Sequence, residues 1–254
     1  MPHASDKEYM ATLAKGLAVL EAFGRQRATM TLSEAASAVD LSRATARRIL
    51  RTLTDLGYVE QNGRQFALSP GILRLGFAYL ATQSWIEPAT PLMKALSERL
   101  HESCSAAILQ GSDIAVVAHV PTRRIMSVAV SVGSRLPAFH TSMGRVQLGY
   151  LDDAEVWRRL MATRIEAYTP SSITEPQALF ERIRADREQG FSIVDEELER
   201  GLRSIAVPII DHAGQCVAAL NLETHSTRTT RNEMRAQFLP ELTAVAARVA
   251  SFVA

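Results

Sequence analysis

Cysteine is scarce in this chain: Cys104 and Cys216 are the only two among 254 residues. They form no CxxC pair, and no Cys/His run has metal-ligand spacing, so a structural zinc site is not expected. Two distant thiols fit a reducing compartment better than a disulfide framework. Long apolar runs are also missing, and none approaches the roughly 18 residues that span a bilayer. The opening MPHASDKEYM lacks the apolar stretch of a signal peptide. A cytoplasmic, soluble protein is the expectation. The usual catalytic signatures are absent: there is no HExxH, GxGxxG, phosphate-binding loop or GxSxG elbow. His140 precedes Ser142 and His101 precedes Cys104, but neither pair has the spacing of a catalytic triad. Glu196, Glu197 and Glu199 read as a solvated acidic turn. A small-molecule enzyme is therefore the weaker class, with no metal and no cofactor expected.

An excess of one charge is missing too, since the net charge is +1. Its distribution is more telling. Residues 1–82 hold ten Lys and Arg against seven acids, and the remainder holds 18 against 20. A basic N-terminal module on a slightly acidic C-terminal one suits a small nucleic-acid-binding unit carried by a regulatory domain. Hydrophobic residues make up 47% and charged residues 22%, enough for the core of one or two globular domains.

The most informative stretch is TLSEAASAVDLSRATARRILRTLTDLGYVEQNGRQFALS, at 31–69. A short helix opens at Thr31 and a turn follows around Asp40. Ser42 is a good N-cap for a second helix, because its hydroxyl can accept from an orphan backbone N–H. In that helix Ala46, Ile49, Leu50 and Leu53 form an apolar stripe. Ala44, Arg47, Arg48 and Arg51 fall opposite at helical spacing. Gly57 stops the helix. Residues 58–60 and 65–68, joined by the turn Gln61-Asn62-Gly63, read as a hairpin. Helix, turn, basic helix, hairpin is the order of a winged helix-turn-helix. A helix fits the DNA major groove, arginines neutralise phosphates, and an exposed face reads base edges. The expected DNA contacts are Thr31, Ser33, Ser42, Arg43, Ala44, Thr45, Arg47, Arg48 and Arg51, with Arg64 in the wing.

Before this stretch, Leu13, Leu17, Leu20 and Phe23 repeat at helical spacing and should pack on the winged-helix core. After it, residues 70–80 read as an apolar helix that begins with Pro70. It should be buried on more than one side, against a second subunit or between its own two domains. A long amphipathic helix over 85–102 follows. Strand-like runs lie at 105–109, 114–120, 125–130, 191–194, 204–210 and 216–223. Helices are expected at 143–151, 153–161 (capped by Asp152), 176–189 and 231–253. Long helices flanking a mostly antiparallel sheet make an α+β, sensor-like second domain. The expected boundaries are 1–69 for the DNA-binding domain, 70–84 for the linker helix, and 85–254 for the second domain.

Several motifs carry a wider resemblance: the helix at 17–23, LSRAT at 41–45, LRTL at 50–53, LGY at 56–58 and LSPG at 68–71. In the second domain they are VGSRLP at 132–137, TSMGR at 141–145, GLRSIAVP at 201–208, Gly214 and AALN at 218–221. With them the chain resembles the IclR-type bacterial transcription regulators over nearly its whole length. The second-domain motifs look most like the branch that senses aromatic acids of the β-ketoadipate pathway, such as protocatechuate or 4-hydroxybenzoate. The resemblance implies a GAF-like effector-binding domain, a dimer or dimer of dimers, and a double-stranded DNA operator as partner. It does not separate repressors from activators. It places the effector pocket at Leu136, Ser142, Met143, Gly144, Asp195, Leu202, Ser204 and Asn221.

Ser142-Met143-Gly144 at a helix start offers free N–H groups that suit a carboxylate. Arg135 and Arg203 could pair with that carboxylate, or equally form salt bridges with Asp195, Glu196 or Glu197. Position 204 is cysteine in the family's small-keto-acid sensor and serine here. A pyruvate- or glyoxylate-like effector is therefore the alternative to the aromatic acid.

Overall fold

The computed structural model describes residues 9–24, 27–122 and 130–253. The chain divides into two compact units, Met1–Tyr79 and Leu80–Ala254. No helix among the described residues is long and apolar enough to cross a membrane.

The first unit holds α1 (Ala11–Glu21), β1 (Thr29–Thr31), α2 (Leu32–Ala38), α3 (Arg43–Asp55), β2 (Val59–Asn62) and β3 (Gln65–Leu68). A 3-10 turn at Pro70–Ile72 leads into α4 (Leu73–Leu80). Thr31 caps α2 in a reciprocal box with Glu34, each side chain bonding the other's backbone N–H. Ser42 caps α3 by accepting from the Thr45 N–H at 3.2 Å. Gly57, at φ +76°, ends that helix in the left-handed region that favours glycine. The hairpin pairs Asn62 with Gln65, so its two-residue loop is Gly63-Arg64, and Gln61 and Asn62 of the expected turn belong to β2 instead. β1 adds a third strand to β3. It is only three residues long, too short to show alternation in the sequence. The core gathers Val19, Leu20, Phe23, Met30, Ile49, Leu50, Leu53 and Val59.

One expectation fails in this unit. Leu13 and Leu17 are exposed, because the core reaches only the end of α1 at Val19, Leu20 and Phe23. In the apolar segment 70–80, Leu73, Leu75 and Phe77 are exposed on the single chain.

The second unit is built on a six-stranded antiparallel sheet, in the order β6-β5-β4-β9-β8-β7. Its elements are α5 (Ile86–Leu100), β4 (Ser103–Gln110), β5 (Asp113–Val120), β6 (Arg135–Pro137), α6 (Ser142–Leu148), α7 (Asp153–Ala162), α8 (Pro176–Gln189), β7 (Ser192–Asp195), β8 (Leu202–Ile210), β9 (Cys216–His225), α9 (Arg231–Glu233) and α10 (Leu239–Ala250). The expected strand at 125–130 lies outside the described residues, except for Val130, which is not in a strand. The final helix is interrupted by a π turn at Met234–Phe238. Pro240 follows closely and has no N–H to donate to the preceding turn, which widens.

Strand alternation divides the core in two. Leu220 and Leu222 on β9, with Ile205, Val207 and Ile209 on β8, pack with Trp85, Met93 and Leu96 of the α5 side and with Leu242 and Val245 of α10. The opposite face carries Ala206 and Ala219 against Phe139, Met143, Val146, Leu160, Leu179 and Ile183, and it is covered by α6, α7 and α8. On that second face the strands also present Ser105, Ser204, Asn221 and Glu223, all buried. A buried polar group needs partners, and this patch is where the second site forms.

Candidate functional site

The first unit presents an open groove. It is lined by Thr31, Leu32 and Ser33 at the start of α2, by Arg43, Arg47 and Arg51 on α3, and by Gln61, Gly63 and Arg64 of the hairpin. Arg43, Arg47 and Arg51 stand four residues apart, so they share one helix face. Ala44 and Arg48 are exposed on the adjoining face. The apolar stripe Ala46, Ile49, Leu50 and Leu53 is buried and locks the helix in place. Thr45 is half-buried, and its hydroxyl accepts from the Ser42 hydroxyl at 3.0 Å. It is therefore tied into the cap. Four arginines around one concave surface, facing Asp55 as the single acid of the lining, form an electropositive groove.

The second site lies in the second unit, between the sheet and the start of α6. Its lining is Val130, Leu136, His140, Thr141, Ser142, Met143, Val194, Leu198, Leu202, Ser204, Asn221 and Glu223. Val130, Leu136, Met143, Val194, Leu198 and Leu202 give apolar walls. The polar groups converge on the sheet side. Ser142 Oγ donates to Ser204 Oγ at 2.9 Å. Asn221 Oδ1 accepts the Ser105 N–H at 3.0 Å, and its Nδ2 donates to Glu223 Oε1 at 3.0 Å. Thr141 caps α6 by accepting the Gly144 N–H at 3.2 Å, which leaves the N–H groups of Ser142 and Met143 at the helix start. The cavity is narrow, with about 20 Å³ open to the centre of a water molecule, room for roughly one water.

Of the ten expected pocket residues, six line this cavity: Leu136, Ser142, Met143, Leu202, Ser204 and Asn221. The other four do not. Arg135 is exposed and pairs with Asp113 at 2.9 Å. Arg203 and Asp195 form a two-pronged pair at 2.7 and 3.0 Å, and Arg231 joins the same carboxylate at 2.8 Å. Burial pushes the Asp195 carboxyl up, but the two arginines outweigh it and hold it below its ordinary value. Arg203 also donates to the carbonyl of Ser226 at 3.1 Å. Its charge and its donors are thus engaged in holding the chain. Gly144 is packed against Ala138, where a Cβ would run into backbone.

The reading of residues 196–199 as a solvated turn also fails in part. Glu197 is buried and forms a two-pronged ion pair with Arg145, which is 1% exposed and is the largest fully buried side chain among the described residues. Arg145 Nε donates to the Phe139 carbonyl at 2.8 Å, and Glu197 receives the Ile173 N–H at 3.5 Å. This pair anchors the loop carrying Leu198 to α6, behind the pocket. Val130, His140, Thr141, Val194, Leu198 and Glu223 were missed as lining residues. The period of two along β9 was the available signal for Glu223, since it shares a face with Asn221. For Thr141 it was the cap position one residue before α6.

Two family signatures match this architecture in order. Residues 12–63 match the IclR helix-turn-helix domain, and residues 77–251 match the bacterial transcriptional regulator IclR C-terminal domain. The chain belongs to the IclR family. It is a DNA-binding transcription regulator with an effector-binding second domain. Among IclR relatives, the Pca regulon regulatory protein of Pseudomonas putida is 43% identical over 240 residues, covering 94% of this chain and 82% of that one. A structure of a transcriptional regulator from Rhodococcus sp. RHA1 is 43% identical with a TM-score of 0.84, covering 96% and 98% of the two chains. A double mutant of the PobR inducer-binding domain from Acinetobacter, in complex with 3-hydroxybenzoic acid, is 26% identical with a TM-score of 0.62, covering 66% of this chain and 98% of that one.

Proposed function

We propose that this regulator reads its operator with α3 and senses a small aromatic acid in the pocket at α6. The observation that carries the second half is the pocket's two-sided chemistry. Apolar walls suit a ring, and a polar end at a helix start suits a carboxylate. The similarity to a regulator of the Pca regulon and to a hydroxybenzoic-acid-binding domain supports the same class. The ring sits against Leu136, Met143 and Leu202, and the carboxylate meets the N–H groups of Ser142 and Met143. Because the cavity is narrow, an aromatic ligand must widen it, and the flexible Met143 is the side chain best suited to yield. The narrowness favours a second reading, a small keto acid such as pyruvate or glyoxylate.

On the DNA, Arg43, Ala44 and Thr45 approach base edges from the N-terminal end of α3, as in other helix-turn-helix modules. Arg47, Arg48 and Arg51 contact bases or phosphates. Arg64 in the wing contacts phosphate or the minor groove. The exposed apolar residues Met10, Leu13 and Leu17 near α1, and Leu73, Leu75 and Phe77 on α4, pair two copies so that they read a two-fold operator.

Calorimetric titration with protocatechuate, 4-hydroxybenzoate, pyruvate and glyoxylate tests the effector. Heat with the aromatic acids is expected. Heat with the keto acids alone would replace the first reading with the second. Turnover of any of these compounds would overturn the assignment of the pocket as a sensor.

A further inference from the structure

The pocket contains an acid of its own. Glu223 lies on β9 between Ser103 of β4 and Ser204 of β8, its direct partners in the sheet register. Its Oε1 accepts from Asn221, and Oε2 accepts no hydrogen bond from the described residues. Asn221 is held on its other side by the Ser105 N–H, so the position of Oε1 is set by the sheet itself. Ser142, at the start of α6, reaches Ser204, and Ser204 stands opposite Glu223. The helix start and the Glu223 carboxyl therefore converge on one end of the pocket.

Among the described residues, no charged group pairs with Glu223. On β4, Cys104 is a thiol pushed up by burial and by Glu223. On β5, His119 is pushed down by burial and hydrogen-bonds Ser105 Oγ at 2.9 Å. In the turn before α6, His140 is pushed down by burial and bonds the Ile173 carbonyl at 3.0 Å. On α6, Arg145 is consumed by Glu197. On β7 and β8, Asp195 and Arg203 pair with each other. Burial pushes the Glu223 carboxyl up, and the Asn221 hydrogen bond only partly opposes this.

We infer that Glu223 meets the ligand's carboxylate as a neutral acid and donates a hydrogen bond to it from Oε2, so that binding takes up a proton from solvent. The inference rests on the reading of this pocket as a site for a small acid. Two ionised carboxylates at one end of a buried pocket repel each other. One shared proton turns that contact into a charge-assisted hydrogen bond. A ligand that excludes more water strengthens the preference for the neutral form. The pocket thus discriminates for carboxylates through a proton as well as through helix N–H groups.

The test is calorimetric titration of the full chain with 4-hydroxybenzoate and with pyruvate across about pH 6 to 9, in buffers of different ionisation heat. 4-Hydroxybenzyl alcohol serves as a probe without a carboxylate. Once pH is high enough to ionise ligand-free Glu223, wild type should take up close to one proton per acid bound, and from there affinity should fall by up to about tenfold per pH unit. Glu223→Gln keeps the acceptor for Asn221 and a neutral donor. It should bind the acids within several-fold of wild type at about pH 6, with no pH slope from this group. Glu223→Met removes the donor and should bind the acids at least about tenfold more weakly. The alcohol should bind without proton uptake.

Uptake that persists in Glu223→Gln would assign the proton to His119 or His140 and overturn the inference. Binding of the acids by wild type with no uptake at any pH up to about 9, together with unchanged acid binding by Glu223→Met, would do the same. Equal loss of alcohol and acid in Glu223→Met would place Glu223 at the hydroxyl end of the ligand, against the proposal. If neither acid binds wild type, the reading of the pocket falls, and this inference falls with it.

Discussion

Arg145 is the side chain on which the second unit's packing turns. It is fully buried, yet its donors are taken up by Glu197 and by the Phe139 carbonyl. Removing one partner leaves the other charge buried and unpaired. Arg145→Ala or Glu197→Ala should each cost about 3–5 kcal/mol, whereas Arg145→Met with Glu197→Met should cost less than either, as read from urea midpoints. Glu223 makes a second residue-scale prediction, with the sign set by linkage. Its folded carboxyl holds a proton at pH values where the unfolded one, near 4.5, has lost it. Stability therefore falls as pH rises above that point until the folded group also ionises. Glu223→Gln removes this loss, so its stability relative to wild type should climb as pH rises above about 5 and level off once the folded Glu223 ionises, in ligand-free urea titrations. An unchanged difference across that range would mean that Glu223 is already ionised in the folded protein. His119 and His140, pushed down by burial, act in the other sense: their contribution is lost as pH drops below about 6.5, in both proteins alike.

Among the elements, the helices declared their starts more clearly than the strands declared themselves. Ser42 and Asp152 were legible as caps because a hydroxyl or carboxylate before an amphipathic run has one cheap way to satisfy an orphan N–H. Ser42→Ala should cost about 1 kcal/mol of stability in thermal or urea unfolding, and should weaken operator binding in gel-shift titrations by loosening the end of α3 nearest the bases. A variant that binds the operator as tightly as wild type would remove that end of the helix from the interface. β1 and β6 were not legible, because three residues cannot display alternation. α6 is the opposite case: all seven of its residues are buried, so no amphipathic pattern marked it. Its start was expected one residue late, at Met143, and with that the cap Thr141 was overlooked.

For the whole molecule, the electropositive groove and the exposed apolar helices lead to one joint expectation. Operator affinity should fall steeply with salt, with a log–log slope of about −0.9 for each phosphate neutralised. Replacing Arg47, Arg48 and Arg51 together by Ala should flatten that slope by about one unit for each phosphate they leave without a cation. Sedimentation at micromolar concentration should show a dimer or larger, and Leu17→Glu with Phe77→Glu should shift it toward monomer and weaken operator binding. A wild-type monomer, unchanged on DNA, would count against pairing through these helices. An effector regulates only by unequal affinity for two states, so saturating ligand should change operator affinity by about 1–3 kcal/mol in either direction.

Local chemistry was enough, in the sequence alone, for the helix-turn-helix. Its caps, its glycine stop and its basic face are set within a few residues of one another, and each follows from short-range hydrogen bonding and helical period. The family resemblance then located the pocket's neighbourhood. Which residues face into it was a matter of tertiary structure. Arg203 and Asp195 lie where a ligand contact was expected, but the nearer charge captured each of them. Glu197 read as a surface acid until α6 brought Arg145 against it. Glu223 became a pocket acid only when β4 and β8 closed on both sides of β9. Partners set by sheet register and by packing, such as Glu197 for Arg145 across 52 residues, carry no mark in any local pattern.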